Sequence, residues 1–431
     1  MSPRTTFLLS SAAAAATTAN ALRPVDRFGP ASLPSFVVGM PTSELPLQTG
    51  AAEVAAALLL ARGGGWRGLR GALGLGLGAA SLAGLWRLHR DARASEQVLE
   101  QALVDGLGAG YRAGIAEPFA PAPATQLTRR SLLVPELRIR RRYVAADGRD
   151  LSYGEAGRRN RLDVWHRPDL APDAGAPVLL QVHGGAWVMG QKEGQAHPLM
   201  AHLAARGWVC VTINYRLSPR ATWPDQIVDV KRAIGWVRDH VGEHGGDPSF
   251  LAITGGSAGG HLAALAALTP GVAEYQPGFE DADTGVAAAV PFYGVYDFID
   301  RDGVANRGLE RLLAARVFKT ALADDRAAWD MASPMSHAGP QAPPFFVLHG
   351  TNDTLVPVEQ ARAFATVMRS ATRAPFAYAE LPRAQHAFDL LPSVRAYHTV
   401  HAVERFLAVV RSRHGGPTPA EAVEATPADA G

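Results

Sequence analysis

An α/β protein is the fold class this sequence predicts, with a mostly parallel central sheet covered by helices on both faces and a helical segment in front. Three observations predict it. Short β-rich runs alternate with helical patterns from about residue 126 to 414, the order that gives parallel strands joined by crossover helices. Those runs are apolar almost without interruption, as strands buried on both faces are. Residues 1–125 differ, holding apolar stretches rich in alanine and glycine.

Taken in order, Met1–Ala21 has Arg4, a weak apolar centre from Phe7 to Ala16 and an Ala19-Asn20-Ala21 site, a faint likeness to a leader peptide. Its centre is mostly alanine and threonine, so a cleaved secretory signal is not expected. The apolar stretch Ala51–Ala61 follows, then Gly71–Trp86. Sixteen helical residues reach about 24 Å, short of a ~30 Å hydrocarbon core. Leu69–Leu88 would reach it, with Arg70 and Arg87 at the ends and a Gly74/Gly78 pair at the spacing of close-packed membrane helices. Residues 51–88 are therefore a candidate membrane-associating segment. Spanning, interfacial and soluble placements stay open, and arginines on both flanks leave orientation unread. Ser95–Arg112 has helical spacing, Glu117–Ala124 is a Pro-rich link, and Arg138–Arg142 reads as the outer face of an edge strand.

In the catalytic part (126–414), strands are expected at Arg161–Trp165, Val178–Val182, Val209–Ile213, Phe250–Thr254, Ala287–Tyr293 and Phe345–Leu348. Helices are expected at Pro198–Ala205, Gln226–Val241, Ala258–Ala267, Val358–Met368 and Val394–Val410. The Pro-, Ala- and Glu-rich tail 415–431 reads as disordered. With 47% apolar and 19% charged residues the chain can build a full core, which excludes a disordered chain, a collagen and a disulfide scaffold. A net charge of +2 gives no broad footprint for nucleic acid. Cys210 is the only cysteine, so no intramolecular disulfide forms.

The chemistry concentrates in four loops. Gly255-Gly256-Ser257-Ala258-Gly259 follows an apolar strand and opens a helix. Small residues let strand and helix approach at a sharp turn, and the serine Oγ projects at a helix N-terminus, where developing negative charge is favoured. Upstream, strand Val178–Val182 runs into His183-Gly184-Gly185-Ala186-Trp187. Acyl transfer needs backbone N–H groups aimed at a forming oxyanion, which assigns Gly184, Gly185 and Ala258 to an oxyanion hole. A serine needs a base and the base an orienting acid. Asp353, after a late strand, is the candidate acid, and His386, 33 residues on, the candidate base. The chain order Ser257, Asp353, His386 is that of a nucleophile-elbow hydrolase.

With these motifs, together with Asn214–Pro219, Tyr293–Asp297 and Gly350–Asp353, residues 136–412 resemble the α/β-hydrolase superfamily. Within it they resemble carboxylesterases of the hormone-sensitive-lipase and feruloyl-esterase-like type. The resemblance implies a serine hydrolase of carboxylic esters working through an acyl-enzyme, without a cofactor, on a small-molecule or lipid ester. It also implies a cap, expected from about residue 88 to 135 and Phe298–His337. Relatives of the hormone-sensitive-lipase type carry an acid before the serine, where this chain has Gly256, and a third glycine where it has Ala186-Trp187. Trp187 and His183 are accordingly expected at the substrate. An amide or formamide hydrolase on the same triad, or an inactive membrane-tethered binding protein, are the alternatives. Location is expected to be membrane-associated or cytoplasmic, and a monomer or homodimer stays open.

Decoys are set aside on physical grounds. His240-Val-Gly-Glu243-His244 matches an inverted zinc-protease pattern but lies at a helix end broken by glycines, so no metal is expected. Cys210 lies inside an apolar strand, and His261, on the nucleophile helix, reads as a packing residue.

Overall fold

The computed structural model describes residues 1–25, 29–116, 136–304 and 306–414. The Pro-rich link and the tail lie outside them. Four helices come first: α1 (Pro3–Leu22), α2 (Ser32–Glu44), α3 (Pro46–Arg62) and the 40-residue α4 (Gly68–Leu107). Then come α5 (Glu136–Tyr143), β1 (Leu151–Ser152), β2 (Arg161–Trp165), β3 (Ala176–Val182), α6 (His197–Ala205), β4 (Val209–Ile213), α7 (Asp225–His240), β5 (Gly246–Gly256), α8 (Ala258–Leu268) and β6 (Ala288–Phe292). α9 (Arg307–Leu312), α10 (Arg326–Met331), β7 (Phe345–Gly350), α11 (Val358–Ala371), β8 (Phe376–Leu381) and α12 (Val394–Arg413) complete the chain.

The strands form one sheet in the order β1-β2-β4-β3-β5-β6-β7-β8, parallel from β4 to β8 and antiparallel at β1 and β2. Because side chains alternate along a strand, the apolar runs feed two cores. Val178, Leu180 and Val182 of β3 face one, against Ile227 and Ile234 of α7, Leu262 of α8 and Phe364 of α11. Leu179 faces the other, with Leu203 of α6 and Phe406 of α12. The far half of α4 joins this second core through Leu99 and Leu103. An added Cβ at Gly106 would lie 2.7 Å from the backbone of Phe376 and Ala377, so α4 lies directly on β8. The first half of α4 packs instead with α1 and α3.

All six expected strands and five expected helices of the catalytic part form within a few residues of their expected bounds. The basic run is the exception. Arg138–Arg142 lies in α5, not in an edge strand. Ile139 and Tyr143, four apart, pack against the same core, which is helical spacing, while Arg140 pairs with buried Asp163. Two strands carried too little signal. β1 has two residues, and in β8 the half-buried Tyr378 and Glu380 interrupt the apolar run.

Candidate active site

The sheet order reverses direction at β3, whose neighbours β4 and β5 lie on either side, and the crevice beyond the strand ends at such a point is where open α/β sheets bind ligands. β3 delivers the glycine loop there and β5 delivers Ser257. That serine sits at φ 59°, ψ −122°, a conformation costing roughly 1–3 kcal/mol for a residue with a side chain. The turn closes because α8 comes tight against β3: a Cβ at Gly259 would lie 2.1 Å from the Val182 carbonyl oxygen. The Ser257 N–H donates to the Phe292 carbonyl at 3.0 Å, which fixes the elbow to β6.

The glycine loop lies against the serine. A Cβ on Gly184 would meet Ser257 Cβ at 3.1 Å and the Gly256 carbonyl oxygen at 2.5 Å. Its N–H, however, donates to Gln195 Oε1 at 2.7 Å, so this amide is engaged away from the reaction. The next two residues turn through positive φ, 124° at Gly185 and 52° at Ala186. Among the described residues the N–H groups of Gly185, Ala186 and Ala258 meet no acceptor. The Asn214–Pro219 motif braces this loop: Tyr215 donates to the His183 carbonyl at 2.9 Å, and the Ser218 N–H to that of Trp187 at 2.9 Å.

The two side chains expected at substrate are buried. His183 stacks on Tyr215 at 4.3 Å between ring centres, and burial lowers its pKa to about 4, leaving it neutral. Trp187 is 1% exposed; its indole N–H donates to His261 Nδ1 at 3.2 Å and its ring meets Phe298. Trp187 belongs to the core cluster, whereas the sequence places it at the substrate. His261 has Nε2 2.8 Å from the Ala332 carbonyl, and burial lowers its pKa to about 3. It is a packing residue.

β7 and β8 are parallel neighbours, so the loops after them meet. His386 Nδ1 lies 2.7 Å from Asp353 Oδ2. Asp353 Oδ1 accepts the Leu355 and Val356 N–H groups, each at 2.8 Å, and His349 Nε2 stands 3.3 Å from Oδ2. Burial pushes the Asp353 carboxyl up, but attraction to His386 and hydrogen bonds from both histidines outweigh it and hold it well below the usual carboxylate range. His349 thus touches the acid, a contact its place at a strand end did not announce. Gln385 Oε1 accepts the N–H groups of His386 and Thr354, at 2.8 and 2.9 Å, and clamps the two loops together.

Tyr293 joins the halves of the site. Its ring centre is 4.6 Å from that of His386, and its hydroxyl would stand 2.6 Å from a Cβ on Gly256. The hydroxyl donates to half-buried Asp389. The residue before the serine is therefore glycine because Tyr293 occupies the space its side chain would need.

The first four helices supply contacts that no motif signalled. Phe36 of α2 meets the His386 ring edge-on at 5.9 Å. Thr354 donates to the Ser32 carbonyl at 2.9 Å, and Asn352 to those of Ala21 and Leu22 at 3.0 and 3.2 Å. Glu44 pairs with Arg395, both fully buried, and accepts from Ser393 at 2.7 Å. The sequence places the start of the cap near residue 88; the residues that reach the acid and histidine loops come mostly from before it.

Comparison with known proteins supplies the family. Residues 162–368 match the BD-FAE family model. The chain is 50% identical to the probable carboxylic ester hydrolase LipM of Mycobacterium tuberculosis, over 96% of each chain. This chain belongs to the carboxylesterases of the α/β-hydrolase fold. The esterase is also 48% identical to esterase LipQ of the same organism, over 75% of this chain and 77% of that one. Esterase 2 of Thermogutta terrifontis, solved after phosphonylation by sarin, superposes with a TM-score of 0.54 at 27% identity, covering 62% of this chain and 96% of that one.

Other groups of the esterase lie apart from this chemistry. His240 and Glu243 pair at 2.9 Å on an exposed helix end, and Cys210 is buried, which pushes its thiol pKa up. Among the described residues the donor atoms of His202, His401 and Glu404 lie within 4.8 Å of one another, with Arg206 3.7 Å from that carboxylate.

Proposed function

We propose that the esterase hydrolyses carboxylic esters with Ser257 as nucleophile, His386 as base and Asp353 as its orienting acid. The observation that carries this is the Asp353–His386 hydrogen bond, made beside the Tyr293 ring that also abuts the Gly256–Ser257 elbow. With Nδ1–H held by the carboxylate, Nε2 is the nitrogen left to accept the serine proton. Oγ bonds to the ester carbon as that proton moves. Collapse of the tetrahedral intermediate expels the alcohol, which takes the proton from His386, and water repeats the sequence on the acyl-enzyme. The oxyanion accepts from Gly185 and Ala258, with Ala186 in place of Gly184, whose N–H is held by Gln195. No step calls on a cofactor.

Ser257→Ala should lower kcat by about 10⁴–10⁶ and abolish labelling by a fluorophosphonate, with the adduct on intact protein mapping to Ser257. A full adduct on Ser257→Ala would overturn the assignment. Matched p-nitrophenyl esters and anilides measure the ester preference on the same site. We further propose that the protein associates with a membrane through residues 51–88. Among the described residues α4 is the one helix long and apolar enough to cross a bilayer, and 22% of its apolar window is covered by protein.

A further inference from the structure

We propose that α1, α3 and the first half of α4 form a bundle embedded in a lipid bilayer, with its arginine end on the side opposite the catalytic domain. In this placement α2 lies along the near surface and the site takes esters dissolved in the membrane. The embedding rests on the membrane reading above, and the substrate clause also on the esterase reading.

Much of the bundle interior is small or hydroxylic: Ser11, Thr18, Ser81, Gly50 and Gly74 are buried within it beside Phe7, Leu85 and Leu88, while Leu58 and Leu59 of α3 are 63% and 64% exposed and Leu69 of α4 is 78% exposed. A helix bundle in water turns its leucines inward. In lipid, where leucine gains nothing from being covered, small and hydroxylic residues form the contacts instead. The contacts here are of that kind. A Cβ on Gly74 would lie 2.6 Å from the Phe7 ring and one on Gly84 2.5 Å from Thr18. Thr18 and Ser81 share a hydrogen bond of 2.8 Å, and Ser81 donates to Glu53 at 3.1 Å.

Length and charge fix the placement. α1 has 20 residues and α3 has 17, about 30 and 26 Å, close to a hydrocarbon core of ~30 Å. Trp66 and Trp86, both about half exposed, stand near the two ends of the embedded part of α4, roughly 30 Å apart along a helix, as interfacial tryptophans do. At the far end Arg4, Arg62, Arg67 and Arg70 come together, and among the described residues none pairs with a carboxylate. Three of them line a cavity of about 590 Å³ with Ser2 and Gly64, a basic recess suited to anionic headgroups. At the near end Arg87 pairs with Asp91 at 3.2 Å and Asp91 with Arg383 at 2.7 Å, while among the described residues Arg23, Arg90 and Arg93 there pair with no carboxylate. The sequence left orientation open because arginines flank both ends. The structure puts arginines at both ends as well, so the placement fixes which parts lie on opposite sides of the bilayer and leaves the direction to the labelling below.

α2 then connects membrane to chemistry. Leu33 and Val37 point outward, 57% and 59% exposed, while Phe36 between them faces His386. An ester leaving the leaflet beside α2 reaches the roof of the site without crossing bulk water.

The test uses the full chain in bacterial membranes. Cys210 is buried, so single added cysteines report topology: Ser2→Cys at the arginine end and Asp169→Cys on the catalytic domain. Expected are retention in carbonate-washed membranes and opposite sidedness: an impermeant maleimide labels one of Asp169→Cys and Ser2→Cys on intact spheroplasts and the other only after permeabilisation. Release by carbonate, a detergent-free soluble oligomer that covers the same face, or any other labelling pattern overturns the embedding. In proteoliposomes, a long-chain ester in the same vesicle should turn over roughly 10-fold or more faster than in separate vesicles, through its effective concentration. Equal rates overturn the substrate clause. p-Nitrophenyl acetate turnover by the same preparation reads the ester chemistry alone, so failure of the esterase reading is told apart from failure of this one.

Discussion

The sheet domain and the N-terminal helices use the same residue types in opposite directions. In the sheet, Leu179 and Leu180 of one strand are both fully buried, each in a different core. In the helices, Leu58 and Leu59 are both exposed, and glycine, serine and threonine share the interior with Phe7, Leu85 and Leu88. Under the proposed embedding, the difference shows that burial follows the surrounding solvent, not residue identity alone. It also shows how the two regions are coupled. α4 belongs to both, with Gly74 against Phe7 at one end and Gly106 against β8 at the other, so a rigid rod of about 60 Å joins them.

The largest effect separates the chemistry from the helices. Asp353→Asn should lower kcat by about 10⁴, because the imidazole loses its tautomer, while membrane retention stays that of the parent. The same variant has a pH signature. The folded Asp353 pKa lies below its unfolded value near 3.8, so its contribution to stability is present above that pH and is lost as pH falls through the folded value. Urea unfolding should therefore show the variant less stable at pH 7, with the gap closing in acid below about 3.8. A constant gap would mean that Asp353 stabilises by packing.

Next comes the tie between the regions. Glu44→Ala leaves Arg395 buried and unpaired and should cost about 3–5 kcal/mol. Replacing both, as Glu44→Ala with Arg395→Met, should recover much of that loss. Thermal unfolding of the two single variants and the double gives the coupling energy. Additive losses would show that the pair does not hold α2 to α12.

Much of this was legible beforehand, for definite reasons. Strands such as Val209–Ile213 are continuous apolar runs, and a parallel sheet leaves little else for such runs to do. The chemistry loops could be read because each needs a residue type its neighbours cannot replace: glycines beside Ser257, a histidine late in the chain. What stayed hidden depends on where chains meet. Gly184 reads from the sequence as an oxyanion donor because nothing there shows that Gln195, eleven residues on, takes its amide. Gly256 reads as a missing acid until Tyr293 is seen in its space. The outward leucines of α3 read as an apolar stretch of undecided place, since periodicity says which residues share a face and not what that face meets.

A smaller effect tests the Tyr293 contact. Gly256→Ala puts a methyl 2.6 Å from its hydroxyl, overpacking that should cost about 1–3 kcal/mol and push the ring from His386. Pairing it with Tyr293→Ala should relieve the clash, so the double variant should be more stable than the sum of the singles. Simple additivity would place the strain elsewhere.

The smallest effect asks whether the N-terminal helices work in the reaction or merely sit beside it. Phe36 touches His386 by one ring edge, a contact of about 0.5–1.5 kcal/mol, or roughly 2- to 10-fold in rate. It bonds to no reacting atom, so it acts as a positioning residue through the roof that α2 makes. If that roof guides the acyl chain, Phe36→Ala should raise KM for long-chain esters several-fold while kcat for p-nitrophenyl acetate holds, and Phe36→Leu should restore most of the loss. A fall in kcat alone, the same for every chain length, would put the ring's influence on the His386 geometry. No change in either constant would leave α2 a structural neighbour, and the coupling between the two regions would then run through α4, the Glu44–Arg395 pair and the hydrogen bonds of Thr354 and Asn352 to the helix-end carbonyls.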